Sequence, residues 1–178
     1  MANPTMTLIA SSTVGSGGVS SVTFSSIPNT YTDLVVKANI RTNNAGTVDY
    51  TVMAFNGVPT GTSYSNKNVY GDYTAAYSGS SSGANSIINV PVNGVTSTAN
   101  TFANTEWYIP NYASSNYKSV SVDSVGEGNS ATANYNYTEM VAGLWASTSA
   151  ITSIYLSPYF GSLFTQYSTF YLYGINNS

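Results

Sequence analysis

The sequence contains no histidine and no cysteine. Histidine is the commonest general base and a frequent zinc ligand, so its absence removes the Ser-His-Asp arrangement and most zinc sites. Without cysteine there is neither a disulfide framework nor thiolate chemistry. No glycine-rich loop is followed by Lys-Ser or Lys-Thr, and no GxGxxG precedes a helix, so nucleotide chemistry is unsupported. We therefore predict no catalytic residue, no metal site and no cofactor.

Charge is also scarce. Charged side chains make up 6% of the 178 residues, with four Lys or Arg against seven Asp or Glu, whereas about 25% is usual. A chain with little net charge repels its own copies weakly, which favours a protein that lives in an assembly. Nucleic-acid binding is not expected, because the four cations form no cluster: Lys37, Arg41, Lys67 and Lys118.

Targeting and membrane signals are missing from the sequence as given. The stretch "MANPTMTLIASSTVG" has neither a basic leader nor an apolar segment of signal length. No run approaches the roughly 20 apolar residues that cross a bilayer. We expect a protein that is made in a cytoplasm, has no membrane partner and leaves the cell, if at all, by lysis.

Alternation of apolar and polar residues is the main structural signal. In "TDLVVKANIR" one face is apolar (Leu34, Val36, Ala38, Ile40) and the other is polar (Asp33, Lys37, Asn39, Arg41). The segment Val48–Phe55 has large apolar groups on both faces and is expected to be covered on both sides. Eight more segments are rich in β-branched or aromatic residues: Met6–Ala10, Val19–Phe24, Ser86–Val92, Phe102–Ile109, Tyr117–Val125, Tyr135–Trp145, Ile151–Leu156 and Phe164–Ile175. The sequence therefore predicts about ten strands, no helix and a single antiparallel β-sandwich domain over residues 1–178.

Turn signals divide these segments. Asn93-Gly94 predicts a two-residue hairpin, whereas Asn56-Gly57 is a weaker candidate because Pro59 follows it. The stretches Gly15–Ser21 and Ser78–Asn85 are typical of flexible loops. Residues 56–85 lack a long periodic run, which favours a long structured loop or one short helix around Tyr64–Tyr70. Such excursions often display binding residues.

Two groups of carboxylates are candidate sites. Glu106 stands beside Trp107 and Tyr108, which could stack on a sugar, and two acids suffice for glycoside hydrolysis. Asp123 and Glu127 could hold calcium together with Asn129. In both cases a strand or hairpin with solvated acids is the simpler interpretation, with Trp107 packed in the core.

Tyrosine is abundant, with 16 residues in the chain. Together with Ser, Gly and Asn, these side chains could recognise a protein or a carbohydrate, or they could simply be half-buried at strand edges. The closing segment "FTQYSTFYLYGI" places Phe170, Leu172 and Gly174 on one face, and both of its faces are apolar. We expect the second face to be covered by another layer or by a neighbouring subunit, which predicts a subunit interface at Tyr171, Tyr173 and Ile175.

Both ends of the chain resemble a pattern found in tailed-phage virion proteins. The matching positions are Leu8–Gly15 ("LIASSTVG"), Ile27–Leu34 ("IPNTYTDL"), Ile151–Leu156 ("ITSIYL") and Ser168–Ile175 ("STFYLYGI"). The resemblance covers about a third of the chain, and it brings no site residues with it.

What the resemblance implies is a structural role in a bacteriophage virion. It implies a jelly-roll-like β-sandwich, assembled as a homotrimer, that serves as a capsid decoration (cement) protein bound to the major capsid protein on the outer surface of the head. The alternative that it leaves open is a receptor-binding tip or appendage domain of a head or tail fibre, which would bind host-surface carbohydrate. A polysaccharide-degrading enzyme is the least favoured class.

Overall fold

The computed structural model describes residues 5–72, 74–87, 90–127 and 137–176. Within these ranges the chain forms twelve strands and no helix, so the predicted all-β class is confirmed, with two strands more than the predicted ten or so. The strands are β1 (Met6–Thr13), β2 (Val22–Phe24), β3 (Asp33–Ile40), β4 (Val48–Phe55), β5 (Tyr64–Gly71), β6 (Ala76–Ala84), β7 (Pro91–Asn93), β8 (Ala103–Ile109), β9 (Lys118–Gly126), β10 (Tyr137–Trp145), β11 (Ile154–Pro158) and β12 (Thr169–Ile175).

The strands form two antiparallel sheets of unequal width. The large sheet has the order β1-β12-β3-β8-β9-β10-β5-β6, and the small sheet has the order β2-β11-β4-β7. Each of the first four strands of the large sheet is adjacent in the chain to the strand at the same position of the small sheet. The pairs are β1 with β2, β12 with β11, β3 with β4, and β8 with β7. The large sheet then continues through β9, β10, β5 and β6, which we call the wing.

Residues from both sheets meet in one hydrophobic core. The ring of Phe55 in β4 lies 5.5 Å from that of Trp145 in β10 and 6.2 Å from that of Tyr64 in β5. Ile87 reaches the wing as well, since a Cβ on Gly143 would lie 2.8 Å from its side chain. The largest fully buried side chains are Trp107, Tyr112, Lys118, Phe164, Phe170, Leu34, Ile40, Met53, Ile87, Ile109, Ile151 and Ile154.

The clearest alternating segments fold as predicted. The apolar face of β3 is buried, and β4 is buried on both faces from Thr51 onwards. Asp33 lies on the predicted polar face, but it is buried there and not in contact with water. Its carboxylate accepts hydrogen bonds from the Tyr108 hydroxyl at 2.6 Å and from the Asn111 backbone N–H at 2.8 Å. Asp33 therefore fixes the connection between β8 and β9.

The prediction for residues 56–85 is wrong. Tyr64–Gly71 is neither a loop nor a helix but the strand β5, and it forms a hairpin with β6. The predicted flexible loop Ser78–Asn85 lies almost wholly within β6. The Gly and Ser residues of β6 have little preference for strands, so backbone pairing with β5 holds β6 in the sheet.

The hairpin predicted at Asn93-Gly94 is also wrong. β7 ends at Asn93 and pairs with β4, not with the strand that follows it. Gly94 is required for a different reason, because a Cβ there would lie 2.2 Å from the carbonyl oxygen of Gly46. At Asn56-Gly57, the weaker turn candidate, Asn56 has positive φ. Its side-chain oxygen accepts a hydrogen bond from the backbone N–H of Thr152 at 2.8 Å.

Two other predicted strands are shorter than expected. Val19–Phe24 contracts to the three residues of β2, and Ser86–Val92 is replaced by β7, with residues 88 and 89 outside the described ranges. Tyr135 likewise lies outside the described residues, so the start of that predicted strand is not described. The loop predicted at Gly15–Ser21 contains two positive-φ glycines, Gly17 and Gly18.

Gly174 in β12 allows an aromatic ring to lie directly on the strand. A Cβ at this position would come within 2.3 to 2.5 Å of three ring atoms of Tyr31. Tyr31 precedes β3 and packs against the core. Because Gly174 has no side chain, the segment that leads into β3 packs directly against β12, the last strand of the chain.

We expect Gly174→Ala to lower the free energy of unfolding by about 1 to 3 kcal/mol, because the added methyl overlaps a packed ring. Urea unfolding measures this change. Gly71→Ala is the matched control, since no atom lies within 4 Å of a Cβ at that strand position. Equal stability of the two variants would contradict the packing described here.

Candidate functional site

The outer face of the large sheet, on the side away from the small sheet, carries exposed apolar side chains along several strands. Those exposed by more than a third are Met6, Leu8, Val69, Tyr108, Val125, Met140 and Leu144. Single exposed apolar residues are ordinary on protein surfaces, whereas a contiguous group marks an interaction surface. The question is therefore which of these side chains are neighbours.

Strand β10 turns one carboxylate inwards and several apolar side chains outwards. Its inward row places Val141 and Trp145 in the core and also contains the buried Glu139, while the outward row is Thr138, Met140, Ala142 and Leu144. Met140 is 59% exposed and Leu144 is 36% exposed. These outward apolar side chains gain no burial from the core of this chain and would gain it only from another surface.

The register of the sheet brings further apolar residues to Met140. Val69 of β5 lies directly opposite it and is 56% exposed. Val125 of β9 lies one diagonal step away, because it pairs with Thr138, two residues before Met140. We call Val69, Val125 and Met140 the Met140 patch; Leu144 lies four residues further along β10, about 13 Å from Met140. Two grooves flank the Val69 and Met140 pair, one towards Tyr77 of β6 and the other towards Lys67 and Ser121.

The predicted interface on β12 lies at the other side of the same outer face. Tyr171, Tyr173 and Ile175 are half-buried, while the opposite row of the strand is fully buried. The Tyr171 and Tyr173 rings stack with centroids 6.4 Å apart. Tyr173 pairs with Leu8 on one side and with Val35 on the other. The tyrosines are thus partly covered by their own sheet, and a subunit contact through them stays a prediction.

Glu106 and Asp123 are brought together on the outer face, directly opposite each other across β8 and β9. Like charges in this position repel, and Lys37 offsets the repulsion with its ammonium 2.6 Å from the Glu106 carboxylate. Trp107 is fully buried and unavailable for stacking on a sugar, as the simpler interpretation predicted. Of the two aromatic neighbours of Glu106, Tyr108 is partly exposed, and its hydroxyl donates to Asp33. The carboxylates lie on an open sheet face.

The candidate calcium residues do not converge. Asp123 lies within β9 and Glu127 immediately follows it, so four extended residues separate them by about 13 Å. Asn129 lies outside the described residues. Within the described ranges no three Asp, Glu, His or Cys residues are grouped as metal ligands.

On the inner face of the wing, Glu139 is buried among polar and aromatic side chains. Its Oε1 accepts a hydrogen bond from Asn68 Nδ2 at 2.6 Å, and only 2% of the residue is exposed. Burial raises the pKa of Glu139 to about 7, although the hydrogen bond from Asn68 acts in the opposite direction. Both residues replace the aliphatic side chains that the core has elsewhere.

Tyrosines surround this carboxylate. Tyr70 stacks on Tyr77 with ring centroids 5.0 Å apart and lies 6.4 Å from Tyr137. Burial raises the pKa of Tyr50 of β4, and the nearby Tyr137, Glu139 and Tyr70 raise it further. Glu139 therefore lies among aromatic rings, and burial is what disfavours its charged form.

A second group of aromatic side chains is exposed on the connection between β11 and β12. Tyr159 and Phe160 contact edge to face at 4.6 Å, and Phe160 also lies 6.1 Å from Tyr50. Phe160 is 65% exposed, and Tyr167, which has positive φ, is exposed too. The loop thus presents three aromatic rings to solvent.

The sequence reasoning missed both Glu139 and the Met140 patch. In "YTEMVAGLW" the row Thr138, Met140, Ala142, Leu144 carries no charge, whereas the other row contains Glu139, so the position of the charge points to the wrong face. The aromatic residues Tyr137 and Trp145 at either end of the inward row were the available signal, since large rings favour the buried side.

Comparisons with protein-family models, with curated proteins and with solved structures found no match to this chain. Across the described ranges, no helix is present that is long and apolar enough to span a membrane. A function is therefore inferred from the geometry above and from the resemblance of the chain ends.

Glu139 should make the stability of the fold depend on pH. Its pKa in the folded protein, about 7, exceeds the ordinary value of 4.5. The folded state therefore holds a proton that the unfolded chain releases, and this contribution is full below about pH 4.5 and lost as the pH rises through about 7. A difference of one between the folded and unfolded pKa corresponds to roughly 1.4 kcal/mol. We expect Glu139→Gln, which keeps the acceptor for Asn68, to gain stability relative to the wild type between pH 5 and pH 8, as measured by urea unfolding.

The exposed Thr138 of the same strand provides the control, because Thr138→Ser removes no titratable group and should leave the pH dependence of the wild type unchanged. Identical pH profiles for the wild type and Glu139→Gln would show that this carboxylate is not buried in its neutral form.

Proposed function

We propose that the fold is a jelly roll with two added hairpins. The support is the strand order: β1-β12-β3-β8 in one sheet and β2-β11-β4-β7 in the other is the arrangement that follows when paired antiparallel strands are rolled into two four-stranded sheets. The hairpins β5-β6 and β9-β10 then widen one sheet only. Jelly rolls include viral capsid and lectin domains, which is an argument from analogy about fold and not about a site.

We propose that the protein is a structural component of a phage virion, a capsid decoration protein that binds the major capsid protein on the outer surface of the head. The observation that carries this proposal is the Met140 patch, an apolar surface on the wing whose strand β10 turns a carboxylate inwards and its apolar row outwards. Such a surface gains free energy when a partner removes it from water, at about 1.5 to 3 kcal/mol per large side chain. The resemblance of the chain ends agrees with this role.

In this role the protein works by shape and burial. A rigid sheet face that spans two neighbouring capsid subunits resists their separation, because separation would expose the buried apolar area again. The net charge of -3 suits the outside of the shell, away from packaged DNA. A homotrimer with contacts through Tyr171, Tyr173 and Ile175 would multiply the attachment points of one particle.

Replacing Val69 and Met140 by lysine should abolish this attachment, because two charges would be buried in an apolar interface. The measurement is co-sedimentation of purified protein with heads of the phage that encodes it, prepared without their own copy. We expect at least a tenfold loss of bound protein, which corresponds to about 1.4 kcal/mol.

Val58→Lys is the matched control, because Val58 is exposed to the same degree as Met140 but lies between β4 and β5. It should bind heads like the wild type. Normal binding by the Val69→Lys, Met140→Lys variant would remove the Met140 patch from the proposal.

The exposed aromatic loop favours a second candidate, recognition of host-surface carbohydrate by a fibre tip. Tyr159, Phe160 and Tyr167 are exposed on one connection, and aromatic faces are suited to stacking on sugar rings. β1 begins and β12 ends at the opposite end of the strands, so the loop lies far from both.

If this second candidate is right, the protein binds host glycans on an array, and Phe160→Ala reduces that binding at least tenfold without changing head binding. Tyr117→Ala at the opposite end of the strands serves as the control, since Tyr117 is also exposed. An array without any bound glycan would eliminate the carbohydrate candidate.

A further inference from the structure

The edge strand β6 is the longest of the four sheet edges. β2 and β7 are three residues long, and the eight-residue β1 has a register shift between Leu8 and Ala10, in the middle of the strand. Short edges and irregularities are common ways to prevent unwanted strand pairing. β6 has nine residues and contains neither a charged residue nor a proline, and its own register shift lies at Gly83, which has positive φ and precedes the last residue of the strand. The residues from Ala76 to Gly83 are exposed on both faces, so a further strand could pair along its free side.

The sequence of β6 is self-complementary. The five residues from Gly79 to Gly83, Gly-Ser-Ser-Ser-Gly, read the same in both directions. A two-fold contact requires a surface that complements itself. If two copies pair antiparallel about Ser81, then Ser80 lies opposite Ser82 of the second copy, and no large side chain stands in the centre of the contact.

Electrostatics permit this pairing. Lys67 of β5 is the charged residue opposite the centre of β6, where it pairs with Ser80. In the pairing about Ser81 the two copies of Lys67 are separated by three strand spacings, about 14 Å. This exceeds the screening length of about 8 to 10 Å at ordinary salt, so their repulsion is weak.

We propose that β6 is a self-association edge, on which two copies of this chain pair antiparallel about Ser81. The eight strands of each copy then form one continuous sheet of sixteen. Because Ser80 and Ser82 pair with Lys67 and Ser65 on the outer face, the Met140 patches of both copies lie on one surface. Contacts made by backbone and small side chains bury little apolar area, so the association is reversible. This proposal does not depend on the virion role.

Charge placed at positions 80 and 82 tests both the contact and its register. Analytical ultracentrifugation of the wild type from about 10 μM to about 1 mM, a range suited to a small polar interface, should show the mass rising from one chain of 18.7 kDa towards two. Ser80→Lys with Ser82→Lys places like charges opposite each other twice and should weaken association at least about tenfold. Ser80→Lys with Ser82→Glu places opposite charges together and should associate at least as strongly as the wild type.

The two variants should unfold at similar urea concentrations, since both place Ser80→Lys opposite Lys67 and both positions are exposed on β6. The proposal is overturned if the wild type stays a single chain throughout, or if the double-lysine variant associates like the wild type. It is also overturned if the Lys and Glu variant is as weak as the double-lysine variant, because the register is then wrong. A three-chain mass that is lost in Tyr171→Ser with Tyr173→Ser but kept in the double-lysine variant would assign self-association to β12 instead.

Discussion

The eight strands of the large sheet face only four strands of the small one. Because a sheet needs a partner layer to bury an apolar face, the four strands of the wing cannot be built like the rest of the large sheet. Over β12, β3 and β8 the inward rows are apolar almost throughout and reach the common core. Over β10 and β5 the inward rows change from aromatic to polar side chains along the strands. Trp145 and Tyr64 still reach Phe55, whereas further along Glu139 and Asn68 take the place of aliphatic side chains.

The two surfaces of the wing follow from that mismatch. On its inner side Glu139 accepts one hydrogen bond from the amide of Asn68, and burial favours the neutral form of this carboxyl group. Its outer side keeps Met140 and Val69 in water although inward positions on the same strands hold polar groups. Neighbouring apolar side chains that stay exposed favour an interaction surface on the outer side, which is the physical basis of the structural role proposed above.

How much the sequence could predict depended on which residues carried the periodic signal. β3, β4 and β12 were predicted because their apolar rows enter the core directly, and alternation reports that burial. β5 was missed because Asn66 and Asn68 occupy its inward row, and β6 because Gly and Ser carry no strand signal. Both strands are held by hairpin pairing, which overrides local propensity. The hairpin predicted at Asn93-Gly94 was wrong for a different reason, because Gly94 is needed for close approach to Gly46 and not for a tight turn. The candidate site was missed because the uncharged row of β10 faces outwards, although Tyr137 and Trp145 mark the inward row.

The outer face of the wing is the surface on which the proposed role depends, and imaging of the virion tests that role most directly. A cryo-electron microscopy reconstruction of the phage that encodes this chain should contain many copies on the head, each with Val69 and Met140 of β5 and β10 against the capsid shell. A few copies on the tail, or head-bound copies whose outer sheet face points into solvent, would contradict it.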